Sequence, residues 1–243
     1  AELEKELHII QTGTNIFRIN LPEELKSKGV VISSINDAIQ NHGLDVKKVL
    51  DSSDPNEDKY TALNNAAFNS GIFVKIPKNL ILEKPIHIIS CVSPDGSSTI
   101  SKNIIIAEQN SKASIVQELY APKSATQQAY MELLTVDAQA NSQLAMTTFQ
   151  AMDHSAVNFS TRNCTLSQDA KINWYLGLFG SMLSRYRTNY YLDGVGAYAE
   201  DAEIVFGDKE QSFDLSANLI HKKQATEGKV VQRSVLRNKS KSL

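Results

Sequence analysis

Residues 59–85 read KYTALNNAAFNSGIFVKIPKNLILEKP, and the spacing of the apolar residues changes at Asn69-Ser70-Gly71. Before this point, three apolar residues follow the i, i+3, i+4 spacing of one helix face: Leu63, Ala66 and Ala67. After it, apolar residues alternate with others over 72–77 in the period of a β-strand, and a second short strand is predicted over 80–82, before Pro85. The stretch therefore predicts a short helix that leads directly into very short strands.

The composition is that of a globular protein in a reducing compartment. Of the 243 residues, 42% are hydrophobic and 21% are charged, and the net charge of −2 gives no sign of a nucleic-acid or membrane partner. The two cysteines form no disulfide framework, and no apolar run approaches the roughly 20 residues needed to span a bilayer. Because the N-terminal sequence also lacks a secretory pattern, we expect a cytoplasmic protein without membrane insertion.

The first 58 residues predict a mixed, partly helical N-terminal region. Asn20 is expected to cap a short helix that ends at Gly29, Ser34 opens a second helix that ends at His42-Gly43, and residues 46–50 form a third. A polar stretch over 51–56 then predicts a linker. We therefore divide the chain into an N-terminal region, residues 1–58, and a β-rich core, residues 59–243.

Beyond Gly71, a unit of about 30 residues recurs along the chain. At each recurrence a polar or small pair precedes a strand with period-2 alternation, and at least one further strand lies between successive starts. The five starts are Asn110, Asn141, Asp169, Gly196 and Glu227. Because one such unit cannot bury its own apolar side, the copies must stack.

Two architectures fit this recurrence, a β-solenoid and a large β-sandwich. The near-constant spacing of the starts favours the solenoid. The helix before Gly71 would then cap the first coil, where strand edges would otherwise be unpaired. The opposite end, after residues 230–236, has no such cap, so we expect either a longer protein or a partner that covers this edge.

Motifs for enzymatic chemistry are scarce. Residues 193–199 superficially resemble a dinucleotide-binding fingerprint, but the third glycine is missing and no helix follows, so a turn between repeats explains them better. Asp201 and Glu203 form an i, i+2 pair of the kind that a carbohydrate-active β-helix enzyme needs, which leaves that function as a minor alternative. The histidines include no i, i+4 pair on a helix, and a structural role explains each best: His8, His42, His87, His154 and His221.

The two cysteines have different surroundings. Cys91 follows an apolar strand, which is typical of a buried, inert thiol. Cys164 lies near a predicted turn and beside Arg162, whose charge would lower the thiol pKa and favour a reactive thiolate. An inert thiol is the simpler explanation for Cys164 as well, and the reactive thiol stays as the alternative.

Aromatic residues cluster in the later repeats and allow two explanations. Their spread over successive strands favours packing between coils, and a binding surface is the alternative. The cluster comprises Trp174, Tyr175, Phe179, Tyr186, Tyr190, Tyr191 and Tyr198.

The opening stretch also carries a resemblance to a known family. Residues 60–79, followed by Glu83-Lys-Pro-Ile, resemble the sequence that leads into the core of the SufB/SufD family of iron–sulfur cluster assembly scaffolds. Residues 103–108, NIIIAE, add support, as does Phe213-Asp-Leu with His221 eight residues further on. The resemblance extends over residues 58–243 and is weaker before them.

This resemblance implies a right-handed parallel β-helix, in agreement with the solenoid expected from the repeat, in a scaffold that is not itself an enzyme. It implies that the chain pairs through its β-helix with a SufB or SufD paralogue, or with itself. It also implies that SufC, an ABC-type ATPase, drives cluster assembly on the complex. The iron–sulfur cluster would be held transiently by the full complex, so no cofactor or metal is expected on this chain alone.

Two departures from the family limit what the resemblance implies for individual residues. A C-terminal motif of cysteine or serine, histidine, glycine and alanine at the cluster-building interface, and the SufC-binding helices after it, have no match here. The chain is therefore expected to lack this part, and no cluster ligand is assigned. SufB-like members also accept sulfur on a cysteine that aligns with Thr165, and neighbouring strand residues face opposite sides. We therefore expect a SufD-like scaffold, with a SufB-like scaffold that uses Cys164 as sulfur acceptor as the alternative.

Overall fold

The computed structural model describes residues 6–51, 58–93 and 98–243. The N-terminal elements are β1 (Leu7–Thr12), β2 (Asn15–Asn20), α1 (Glu23–Ser27), β3 (Val31–Ser34), α2 (Ile35–Asn41) and α3 (Gly43–Asp51). Helix α4 (Lys59–Ala67) leads into β4 (Ile72–Ile76), β5 (Ile86–Cys91), β6 (Ser98–Ala107), β7 (Lys112–Ala121), β8 (Gln128–Ala138) and β9 (Gln143–Met152). The remaining strands are β10 (Ala156–Leu166), β11 (Lys171–Leu178), β12 (Leu183–Leu192), β13 (Tyr198–Gly207), β14 (Ser212–His221), β15 (Glu227–Leu236) and β16 (Lys241–Ser242).

The strands form a β-solenoid of about six turns, as the repeat predicts. Odd-numbered strands from β5 to β15 form one parallel sheet, extended by β1 and β2, which we call sheet A. Even-numbered strands from β4 to β16, extended by β3, form the second, sheet B. Each coil therefore contributes one strand to each sheet, and the main apolar core lies between the two sheets. The division at residue 58 stays a prediction, although β1–β3 extend both sheets from the N-terminal side.

The repeat starts correspond to one turn that recurs in every coil. Its first residue has a left-handed backbone, which Gly and Asn tolerate best. The residues in this position are Asn79, Asn110, Asn141, Asp169, Gly196 and Ala225. In the first five of these, the backbone N–H donates to a carbonyl one coil further on, and the Asn110 amide also donates to Asn79 Oδ1 at 2.8 Å. Four of the five predicted starts are confirmed, and the fifth repeat begins at Ala225 instead of Glu227.

Helix α4 does not lie where the sequence placed it. It crosses the outer face of sheet B over β6, β8 and β10 instead of capping the first coil. Thr61 and Asn64 are its buried residues, and the predicted apolar face of Leu63, Ala66 and Ala67 is exposed. The prediction was wrong because polar and ring contacts with distant strands, rather than an apolar stripe, hold this helix.

These contacts anchor the N-terminal end of α4. Asp58 accepts a hydrogen bond from the Thr61 N–H at 2.7 Å, which caps the helix, and also binds the Arg185 guanidinium at 2.6 Å. The Tyr60 ring stacks on Phe159 at 4.8 Å, and the Arg185 guanidinium lies 4.5 Å from the Tyr60 centroid. The first coil itself is closed by antiparallel pairing of β2 with β1 and of β3 with β4.

The turn after α4 explains why a helix leads directly into strands. At Gly71 a Cβ atom would lie 2.0 Å from the Lys102 carbonyl oxygen, so only glycine allows the chain to approach β6 this closely. The Ile72 N–H then donates to Asn103 Oδ1 at 2.9 Å, and β4 begins. The predicted strand over 80–82 is only an isolated bridge between Ile81 and Lys112.

The three short N-terminal helices are confirmed, with one correction. Ser34 caps α2, but Asn20 does not cap α1, whose N-cap position is Pro22. The Asn20 amide instead donates to the Glu6 carbonyl at 2.7 Å. Helices α2 and α3 pack on the outer face of sheet B against Phe73 and its neighbours in β6. The predicted linker lies outside the described residues except for Asp51, which ends α3.

We predict that Ala225→Gly stabilises the protein by up to about 1 kcal/mol, because alanine is strained where φ is +54°. The midpoint of urea unfolding is the measurement. Ala145→Gly, in the middle of β9, is the control and should destabilise by a similar amount, since glycine weakens a strand. Equal losses in both variants would contradict a turn that favours glycine.

Candidate functional site

A network of polar side chains lies inside the solenoid, where an apolar core would be expected. It separates the main apolar cluster from a smaller one around Leu119 and Met152. Its members come from inward-facing positions of β6 to β10, and all are at most 3% exposed: Asn103, Gln117, Glu132, Thr148, Asn158, Ser160 and Arg162. Burial of so many polar groups is costly unless each one is paired, so the network marks a site to examine for function.

An ion pair between Glu132 and Arg162 lies at the centre of this network. Arg162 Nε is 3.5 Å from Glu132 Oε2, and both side chains are fully buried. Glu132 Oε1 accepts hydrogen bonds from the side-chain amides of Asn103, at 2.8 Å, and Gln117, at 2.5 Å. Arg162 Nη2 donates to Gln117 Oε1 at 3.4 Å. Three strands of sheet B and one of sheet A thus hold one buried charge pair.

Aromatic rings surround the guanidinium. Arg162 lies 4.7 Å from the Trp174 ring centroid and 4.6 Å from that of Tyr186, so it is held between two π-faces. The Trp174 indole N–H donates to Thr148 Oγ1 at 3.0 Å, and Thr148 donates to Gln117 Oε1 at 3.1 Å. The contacts fix the orientation of Arg162, although its Nε and Nη1 atoms have no hydrogen-bond partner among the described residues.

A carboxyl pair lies further along the interior, on β13. Asp201 accepts a hydrogen bond from Tyr190 Oη at 2.6 Å, and Glu203 accepts one from Gln232 Nε2 at 2.6 Å. Burial and, secondarily, the neighbouring Asp201 charge together raise the pKa of Glu203 to about 7. Burial also raises the pKa of Asp201. Both carboxyls face the interior and are at most 1% exposed, so a polysaccharide cannot reach them and the carbohydrate-active alternative has no support.

Cys164 faces the same interior as Arg162 and is fully buried. Burial raises the pKa of the thiol strongly; the Arg162 charge acts in the opposite direction, and Asp201 raises the pKa further. The activation expected from Arg162 is therefore outweighed by loss of hydration. Thr165, the next residue, is only half-buried and faces outward, as the strand alternation requires. The role of Cys164 as sulfur acceptor stays a prediction, and its burial argues against it.

The other candidate residues do not converge on this network. His87 lies 3.5 Å from Glu118 and 3.7 Å from Glu6, and His8 is its neighbour across β1 and β5. Within residues 6–51, 58–93 and 98–243, no three His, Cys, Asp or Glu side chains lie close enough to hold a metal ion. Residues 193–197 form the repeat turn before β13, which begins at Tyr198, and not a nucleotide-binding loop.

A surface groove of about 360 Å³ lies between α1 and residues 81–84, far from the interior network. Glu24 and Lys28 on its wall form an exposed ion pair with each other. The groove therefore offers a solvated surface rather than a preorganised site.

The aromatic cluster of the later repeats is divided between the two predicted roles. Trp174, Tyr186 and Tyr190 are buried inside the solenoid, so packing explains them. Tyr175 and Phe179 lie on the outer face of sheet A, where 46% of each is exposed. This division could not be predicted before it was known which residues of each strand face the interior.

Two protein-family models match consecutive parts of the chain. Residues 90–243 match the family described as "SUF system FeS cluster assembly, SufBD core domain", and residues 2–88 match the "SufBD protein N-terminal region". The chain belongs to the SufBD family. The resemblance seen in the opening stretch is thereby confirmed, and the family is one of iron–sulfur cluster assembly.

The similar SufBD proteins are longer than this chain. The chain is 29% identical to the iron-sulfur cluster assembly protein SufD of Bacillus subtilis (strain 168), over 100% of the chain and 56% of that protein. It is 27% identical to an iron-sulfur cluster assembly SufBD family protein of Staphylococcus aureus (strain USA300), over 91% of the chain and 48% of that protein. The chain thus spans about half the length of these relatives.

None of the helices in the described residues is long and apolar enough to cross a bilayer.

The sequence did not reveal Glu132 or Gln117 as site residues, although a signal was present. Glu132 lies two and four residues before Leu134 and Val136 in β8, so its side chain is on the same side of the strand as theirs. Both Leu134 and Val136 face the core. A charged residue at a core-facing position of a strand requires a buried partner. That partner, Arg162, lies one coil away and cannot be identified without the register of β8 and β10.

We predict that Cys164 in the native protein reacts with a maleimide near neutral pH only as fast as the protein unfolds, because the thiol is buried and its pKa is raised. The Cys91→Ser variant isolates this thiol, and mass spectrometry follows the labelling. The same variant in urea provides the control for an accessible Cys164. Labelling as fast as in urea would contradict the buried thiol and favour the SufB-like alternative.

We predict that Arg162→Met destabilises the protein by roughly 3 kcal/mol or more, because Glu132 is left as an unpaired buried charge. The additional change Glu132→Gln should recover part of this loss, since it removes the charge and keeps both amide contacts. Urea unfolding measures each variant. Arg187→Met is the control, because the half-exposed pair with Asp214 is worth at most about 1 kcal/mol. A double variant less stable than Arg162→Met would contradict a charge-pairing role.

Proposed function

We propose that this chain is the scaffold portion of a SufD-like protein that pairs with a SufB/SufD partner in iron–sulfur cluster assembly and works with the SufC ATPase. The observation that carries the proposal is the match to both SufBD regions in order, over residues 2–88 and 90–243. The B. subtilis relative that matches the whole chain is itself named a SufD protein, which favours this branch of the family.

The scaffold role is supported by the inaccessibility of the reactive groups. The interior ion pair, the Asp201–Glu203 pair and the Cys164 thiol are all buried, so no substrate in solution contacts them. A protein of this kind contributes surfaces and a rigid frame rather than a reaction centre. We therefore propose that the chain is not an enzyme, that it acts in the cytoplasm, and that the cluster is a transient cargo of the assembled complex.

The SufB-like alternative requires Cys164 to receive sulfur from a donor. Its burial and raised pKa both oppose attack by or on this thiol. The SufD-like role makes no use of this thiol, so it accommodates the observed geometry without movement of β10.

The proposal is tested by mixing the chain with SufB and SufC from the same source organism, followed by size-exclusion chromatography with light scattering. The chain should co-elute with SufB, and the mass of the complex after SufC is added shows whether the ATPase joins it. SufB with SufC alone gives the baseline mass. Elution of the chain separately from SufB in every mixture would overturn the proposed partnership.

A further inference from the structure

The carboxyl pair of β13 has two oxygen atoms that no donor satisfies. Asp201 and Glu203 lie two residues apart, so both side chains are on the inward face of the strand. One oxygen of each accepts a hydrogen bond, from Tyr190 or from Gln232. The other two, Asp201 Oδ1 and Glu203 Oε1, are buried and have no donor among the described residues. The two carboxyls are within hydrogen-bonding reach of each other, but only a protonated carboxyl can donate to its neighbour.

The positive charge that acts on this pair is bound elsewhere. Arg162 on β10 attracts both carboxyls, but its Nε atom lies 3.5 Å from Glu132 Oε2 and forms the interior ion pair with it. With Glu132, this part of the interior contains three carboxyls and one guanidinium. Ionisation of all three would therefore leave two negative charges without a cation, and burial of unpaired charge is costly. The interior is better satisfied when one carboxyl stays protonated.

The other groups that face the pair carry no positive charge. They are Trp174 and Leu176 on β11, Val230 and Gln232 on β15, and Tyr190 and Cys164 on sheet B. Burial, and after it the negative charge of Asp201, raises the pKa of the Tyr190 hydroxyl. Burial raises the pKa of the Cys164 thiol as well, so both groups are neutral acids at physiological pH. None of these neighbours can compensate a second negative charge.

We propose that Asp201 and Glu203 hold one proton between them up to neutral pH, with the Glu203 hydroxyl donating to Asp201 Oδ1, and that loss of this proton destabilises the later coils. The pair is then a pH-sensitive element built into the interior of the solenoid. In the protonated state it carries one charge, which the Tyr190 hydroxyl and Arg162 stabilise. In the ionised state it carries two adjacent negative charges. The proposal concerns this chain alone and adds to the proposed function.

The folded protein binds this proton more tightly than the unfolded chain does. Burial and, secondarily, the Asp201 charge raise the pKa of Glu203 from its ordinary value of 4.5 to about 7. Between these two values the folded state holds one proton that the unfolded state has released. The stabilising contribution is therefore complete below about pH 4.5, falls as the pH rises, and is lost above about pH 7.

Urea unfolding of the full chain from pH 5 to pH 8 tests this linkage. Relative to Glu203→Gln, the wild type should lose stability by up to about tenfold in the unfolding equilibrium constant per pH unit between pH 5 and pH 7. The glutamine keeps the shape and a donor for Asp201 but does not titrate. Glu200→Gln is the matched control on the outer face of the same strand. The hydrogen bond from Lys229 lowers the pKa of Glu200, so this variant should keep the pH dependence of the wild type.

The fluorescence of Trp174 provides a second measurement on the folded protein. Trp174 is the only tryptophan of the chain, and it lies beside Asp201 in the register of β11 and β13. Its emission without urea should change in one step with a midpoint near pH 7, in the wild type and in Glu200→Gln. The step should be absent in Glu203→Gln.

Two results would overturn the proposal. One is a wild type whose Trp174 emission is constant from pH 5 to pH 9, which decides the question even if Glu203→Gln does not fold. The other is a folded Glu203→Gln variant with the same pH dependence as the wild type. Neither measurement involves SufB or SufC, so failure here is distinguishable from failure of the proposed function.

Discussion

The unbroken parallel register between coils is the constraint on which the rest of this structure depends. From β4 to β14, each strand pairs without a slip with the strand one coil further on. Because side chains alternate with a period of two, a shift by one residue would move every core residue to the surface. The left-handed turn residues, from Asn79 to Ala225, hold this register by starting each coil at an equivalent point. The rows of residues inside and outside the solenoid are consequences of it.

The solenoid could be predicted from the sequence because its signals are local and repeated. Asn110, Asn141 and Asp169 each carry a backbone conformation that few residues tolerate, so the turn recurs as a visible pattern. The position of α4 could not be predicted in the same way. Its helical spacing is local, but its anchors are the Arg185 guanidinium and the Phe159 ring, and both are more than ninety residues away in the sequence. Local helical propensity predicts that a helix such as α4 forms, whereas the fold decides which strands the helix contacts.

The interior site shows the same limit at the level of single side chains. The sequence alone predicts that Arg162 activates Cys164, because the two residues are close along the chain. The structure gives Arg162 a different partner, Glu132 on the adjacent coil, and places the thiol in an apolar environment where loss of hydration dominates its pKa. The sequence correctly places Arg162 and Cys164 near each other along one strand. It could not supply the neighbours across strands, and those determine which charge is neutralised and which group is buried.

The placement of polar and apolar groups in the middle coils is the reverse of what stability alone would select. The Glu132–Arg162 pair lies in the core, although a hydrophobic pair of similar volume would be at least as stable there. Phe179 and Ile204 lie on the surface, although their burial would stabilise the fold. Both departures occur in the coils formed by β7 to β13, the ion pair on strands of sheet B and the exposed side chains on sheet A. Packing of the solenoid requires neither departure, because its turns and register are satisfied by backbone hydrogen bonds along both sheets. Neither departure is therefore explained by the stability of the solenoid itself.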